Sequence, residues 1–240
     1  MTPVIVKPRS GFPWMEALVM AAGKSRGREI APRERMVRSA TQLIRRKGVS
    51  GTGMREVVTE ADAPRGSLQH YFPGGKEELV SDALLWAGNA SARRVRRSMS
   101  ELDPRTPGAL LGSIVDGWRR DLTTEEFAAG CSLVAAAADT AATSQQLRHV
   151  LRRAFDGWIE TLSQSLVELG VPSSRADNLA VVVISALEGA IVLARIRRDL
   201  SPFDALVGEL GPLLDSIARP ANVTGVDSGW RVRETGSDRE

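Results

Sequence analysis

Between residues 33 and 75 the chain is interrupted at Gly48, again at Asp62-Ala63-Pro64, and stopped at Pro73-Gly74-Gly75, which leaves three short pieces of helical period. In the first, 33–47, Met36, Val37, Ala40, Leu43 and Ile44 fall on one stripe, while Arg35, Arg38, Arg45 and Arg46 occupy the other face. Pro32 suits the first turn and Gly48 the end. A second helix is expected over 54–61, apolar at Met54, Val57, Val58 and Ala61, with Thr52 placed to cap it. A third is expected over 65–72. Leu68 and Phe72, at i and i+4, turn toward a small core, which leaves Arg65, Ser67, Gln69, His70 and Tyr71 outside. Two short helices joined by a tight turn, the second lined with polar and basic side chains, form a candidate helix-turn-helix. The first helix would hold the third proud enough to enter a groove of DNA.

Behind this unit every readable segment is helical and no strand pattern occurs. A long fourth helix is expected over 76–99, followed by 107–122, a stretch around 127–142, and 144–169. The segment 173–199 is apolar nearly all round, so it must be covered on more than one side. Pro202 separates it from an amphipathic helix over 203–217. The expected organisation is a tail over 1–27, a DNA-binding unit over 28–75, a larger helical domain over 76–218, to which the resemblance given below assigns effector binding and dimerisation, and a disordered tail over 219–240. Met20 is a candidate start site. The fold class is all-α.

Charge divides the same way. Residues 24–100 carry 16 basic and 8 acidic side chains, a net +8, whereas 101–218 carry 10 and 16, a net −6. A basic portion joined to an acidic one is what a phosphate-binding unit attached to something else would show. A single Cys, Cys131, excludes an intramolecular disulfide, reads as a small buried residue and suits a reducing cytoplasm. With two His it leaves little for a zinc site, so no metal or cofactor is expected. The most apolar stretch, 178–194, is interrupted by Glu188 and falls short of the roughly 18 residues of a membrane span. Gly74-Gly75-Lys76 lacks both the earlier Gly and the following Ser/Thr of a phosphate loop. His149 sits among Arg148, Arg152 and Arg153 with no nucleophile in register, so no enzyme is read.

Several runs carry a resemblance: Gly51-Thr52, Met54-Arg55-Glu56-Val57-Val58, Ala63-Pro64-Arg65-Gly66-Ser67-Leu68-Gln69-His70-Tyr71-Phe72, and Lys76-Glu77-Glu78-Leu79. Over about residues 30–90 the sequence resembles the DNA-binding domain of the tetracycline-repressor (TetR) family. Gly130-Cys131 and Leu187-Glu188-Gly189-Ala190 are similar to its LmrA/YxaF-like branch. Two departures stand out. Asp62 replaces the usual Gly at a left-handed turn position, and Gln69 replaces the usual Tyr; Gln can read adenine through paired hydrogen bonds.

The resemblance implies phosphate contacts from Thr52, Ser67, Tyr71 and Lys76, and base contacts from Arg65, Gln69 and His70. It implies a homodimer on a pseudo-palindromic operator, released by a small hydrophobic effector. Trp118, Phe127, Phe155 and Trp158 are candidates for the effector pocket or for plain core. Glu188 either pairs with a basic residue such as Arg195 across an interface or faces that pocket. Val183, Leu187, Ile191, Leu206, Leu210 and Leu213 are the expected dimer contacts. The competing reading is an effector-free architectural DNA-coating protein.

Overall fold

The computed structural model describes residues 30–64 and 66–218. The two tails and Arg65 lie outside the described residues. Among these residues nine α-helices and no strands are present: α1 Pro32–Lys47, α2 Met54–Glu60, α3 Ser67–Tyr71, α4 Gly75–Ser100, α5 Pro107–Thr124, α6 Ser132–Thr140, α7 Gln145–Glu168, α8 Ser173–Arg197 and α9 Ser201–Ile217.

The first three helices and the start of α4 share one core, in which Met36, Ile44, Val57, Phe72 and Leu84 are wholly buried. α1 ends where Gly48 takes φ 73°, a left-handed conformation that a side chain resists. Thr52 does not cap α2. Its hydroxyl turns back to donate to the Gly48 carbonyl at 2.7 Å, and Gly53 takes the cap position without a side-chain bond. Asp62 adopts φ 47°, the left-handed turn expected of it. Arg35 holds that turn, donating from Nε to the Ala61 carbonyl at 2.9 Å and from Nη2 to that of Asp62 at 3.0 Å. The third helix is shorter than its apolar spacing implied, because Pro64 and Gly66 occupy a turn ahead of it and Phe72 ends it.

α4 leaves this reading head and runs into the second domain, where its most extensive partner is α7. The two helices touch at Gly88: a Cβ there would meet the Ala154 carbonyl oxygen at 2.7 Å and the Ala154 Cα at 2.9 Å. Only a glycine lets the backbones come this close. α5 begins at Pro107 with Thr106 accepting from the Ala109 N–H at 3.1 Å, and α7 begins with Ser144 accepting from Leu147 at the same distance. Residues 125–131 are loop, not helix. Glu126 and Phe127 both have positive φ, which no helix accommodates. Pro202 is not a separator but sits in the first turn of α9, where its missing N–H has no partner to lose.

α8 is long and apolar enough to cross a membrane by length and composition, which the sequence count had placed just short of that mark. In the fold it serves as a core helix. One face, with Ala180, Val183, Ile184, Leu187, Ala190, Ile191 and Ala194, packs inside the protomer. This corrects the expected dimer contacts: Val183, Leu187 and Ile191 are 1–2 % exposed and touch the protomer's own helices. The uncovered stripe lies opposite, at Val181, Val182, Ser185, Gly189, Val192, Leu193 and Ile196. Leu206 and Leu210 on α9 are half-buried and Leu213 is exposed.

Candidate nucleic-acid interface and the joint behind it

α3 stands on the surface because Phe72 anchors its end in the head core while Arg33 lies over the Phe72 ring at 5.0 Å. Gln69 and His70 are exposed, and Tyr71 is half-exposed with its ring edge-on to His70 at 4.9 Å. The Ser67 hydroxyl donates to the Pro64 carbonyl, closing the turn, and remains half-exposed. Lys76 lies in the first turn of α4, beside the positive end of that helix. Most of the head's other cations are spent on carboxylates: Arg33 on Asp82, Arg38 on Glu34, Arg46 on Glu125 and Lys47 on Glu56. Lys76 and Arg55 have no carboxylate partner among the described residues, and Arg55 is exposed on α2 beside Leu68. Arg55 was legible in the sequence as part of the quoted motif and was not singled out. Thr52, expected to touch phosphate, is 3 % exposed, with its hydroxyl already engaged.

The fold does not gather the expected effector-pocket residues. Trp158 is buried in the core with Phe155 stacked against it at 6.3 Å, and Phe127 is half-buried in the loop after α5. Glu188 is buried with neither carboxylate oxygen hydrogen-bonded. Within the protomer Arg195 is not its partner, because that guanidinium donates to the carbonyls of Phe127 and Ala128 at 3.4 and 3.1 Å. Burial pushes the Glu188 carboxyl up to about 7, opposed only by contact with the Cys131 thiol. Burial in turn pushes the Cys131 thiol up, with Glu188 adding to it.

Trp118 of that set lines a cavity, about 290 Å³ in volume, at the joint between the head and the second domain. The joint is fastened by reciprocal bonds. The Gly130 N–H donates to the Arg45 carbonyl at 3.0 Å, while Arg45 Nε donates to the Gly130 carbonyl at 2.9 Å. Asp139 of α6 accepts from the Ser50 N–H at 3.0 Å and packs against Gly48.

An exposed short helix on a three-helix head, joined by a long helix to an all-α domain, defines a helix-turn-helix transcriptional regulator. Comparison with known proteins agrees. Residues 37–83 match the model of bacterial regulatory proteins of the tetR family, and residues 107–209 match the C-terminal domain of LmrA/YxaF-like transcriptional regulators. An uncharacterized HTH-type transcriptional regulator of Mycobacterium tuberculosis is 39 % identical over 188 residues, covering 76 % of this chain and 94 % of that protein. The HTH-type regulator YxaF of Bacillus subtilis is 30 % identical over 182 residues, covering 76 % and 94 %. A TetR transcriptional regulator from Legionella pneumophila shares the fold, with a TM-score of 0.66 at 20 % identity, covering 80 % of this chain and all of that one. The chain belongs to the TetR family of transcriptional regulators, with an LmrA/YxaF-like C-terminal domain. Its relatives are named as transcriptional regulators.

Proposed function

We propose that this regulator is a cytoplasmic homodimeric repressor that binds a pseudo-palindromic operator and is released by a small effector held in its second domain. The observation that carries this reading is the polar row on α3, where Gln69 and His70 are exposed next to Tyr71 and Lys76, Gln69 held only by a long bond from its Nε2 to the Pro73 carbonyl at 3.5 Å. An exposed, weakly held side chain on a helix braced from behind suits readout of base edges; a lysine at a helix start suits phosphate. Ser67, Tyr71 and Lys76 are assigned to the backbone, together with Arg55; Gln69 and His70 are assigned to bases. Thr52 is left to its structural bond. Arg65 retains the base contact that the resemblance gives it.

Binding titrations at several salt concentrations test this assignment. Lys76→Ala is expected to weaken binding on every sequence and to lower the salt slope by about one unit. Gln69→Ala is expected to relax preference at one base pair per half-site, by about 1–3 kcal/mol, and to leave the slope alone. An unchanged sequence preference in Gln69→Ala would remove that residue from base reading. Equal affinity of the parent protein for all duplexes would instead favour a DNA-coating role.

A further inference from the structure

We infer that the cavity at the joint is the binding site of a planar aromatic acid. The inference rests on the effector reading above and names the place and the chemistry. Two tryptophans, Trp86 and Trp118, line the cavity, and each has two guanidinium groups close to its ring. Arg38 and Arg93 stand 5.7 and 5.8 Å from Trp86; Arg45 and Arg94 stand 5.8 and 5.2 Å from Trp118. Indole walls select a flat ring by stacking. The charge of the lining selects an acid. Arg45 and Arg94 share one carboxylate, Asp121, so the lining keeps one uncompensated positive charge. Arg94 Nη2 donates to Asp121 at 2.7 Å, but Arg45 Nη2 stands 3.9 Å from it, too far for a hydrogen bond, and is buried with no other partner. A buried guanidinium N–H left unpaired is costly, and a ligand carboxylate would supply the missing acceptor. A neutral ring would leave that donor unpaired, and a bare phosphate would waste both indoles. The cavity's volume lies at the small end of ligand pockets, which suits one ring or two fused rings.

The position gives the ligand a lever. Arg45 belongs to α1 of the reading head, and its Nε and carbonyl form the reciprocal bonds to Gly130 that fix the head to the loop before α6. Ser132 and Leu133, the first residues of α6, form another part of the wall. An acid that draws the Arg45 guanidinium toward itself loosens this fastening and lets the head turn relative to α6, a differential contact of the kind a population shift requires.

The test uses 2-naphthoate and its neutral amide, 2-naphthamide, with the full-length protein, followed by calorimetry and tryptophan fluorescence. Naphthoate is expected to bind saturably and quench, and the amide to bind at least about tenfold more weakly. Arg94→Gln is expected to weaken the acid by about tenfold while leaving the amide unchanged, and Ala90→Phe, which fills the cavity, to abolish both. Circular dichroism reports whether each variant is folded, and the two variants act by different means. No saturable naphthoate binding, equal binding of the amide, or unchanged binding in folded Ala90→Phe overturns the site. Operator gel shifts with and without naphthoate separate this inference from the reading beneath it. Binding with release supports both. Binding without release upholds the site and overturns its part in control. Failure of the unliganded protein to select any operator overturns the repressor reading without touching the ligand result.

Discussion

A charge placed on the outer stripe of α8 is expected to abolish dimerisation and operator binding together while the protomer stays folded. Val182, Leu193 and Ile196 are 50, 47 and 74 % exposed, and with Val181, Ser185, Gly189 and Val192 they recur every three to four residues along one face. Leu213, 58 % exposed on α9, extends the patch, with Leu206, Leu210 and Ile217 half-covered beside it. A mainly apolar stripe over residues 181–196 suits a contact surface, and two copies meeting about a two-fold axis would bury it in a four-helix bundle. Leu193→Glu or Ile196→Glu would set a carboxylate in the proposed contact but meets mostly solvent in the isolated protomer. Loss of the second half-site removes the bivalent gain, so operator affinity is expected to fall by about 10²–10⁴-fold. Val183→Glu is a different experiment, because that residue is inside the protomer and its substitution should unfold the chain. Sedimentation alongside a gel shift reads both effects. A folded Ile196→Glu monomer with parental operator affinity, or an intact dimer, would contradict the assignment.

Glu188→Gln is expected to stabilise the protein at about pH 8 by roughly 3 kcal/mol and to flatten its stability against pH. The folded protein holds the Glu188 proton up to about 7, whereas a free Glu carboxyl releases it at 4.5. Between those two values the native state binds more protons than the unfolded chain, so stability falls as pH rises. The share due to this residue is fully present below 4.5 and is lost as pH passes through about 7. Gln keeps the shape without the charge, so the ionisation part of the penalty vanishes. Urea unfolding of both proteins at about pH 5, 6 and 8 should show curves that diverge as pH rises. Parallel curves across that range would mean that Glu188 finds a partner in solution.

How much of this was legible follows from what periodicity can carry. The stripe Met36–Val37–Ala40–Leu43–Ile44, the break at Asp62-Ala63-Pro64 and the stop at Pro73-Gly74-Gly75 delimited the head, because each expresses a local rule. α8 shows the limit. A helix apolar on all sides has no stripe, so sequence alone could not divide the face that meets the protomer, Val183, Leu187 and Ile191, from the face left open, Val182, Leu193 and Ile196. Thr52 was misread because a hydroxyl two residues before a helix can bond backward as well as forward, and here Gly48 took it. The cavity was missed for a tertiary reason. Arg45, Trp86, Arg94 and Trp118 lie on three helices, and no spacing along the chain reveals that α1, α4 and α5 bring them together. Phe155 and Trp158, chosen for their aromatic character, proved to be stacked in and against the core.

The central claim is that this chain reads a two-fold operator sequence, and selection from a random duplex pool tests it most directly. Full-length protein is incubated with the pool at fixed salt, and the bound fraction is sequenced over successive rounds. The account predicts enrichment of an inverted repeat whose half-site centres lie about one helical turn of DNA apart, or a multiple of it, roughly 34–36 Å per turn. In the Gln69→Ala variant the same repeat should emerge with preference lost at one position in each half. A pool that remains unenriched while binding still responds to salt would contradict the account.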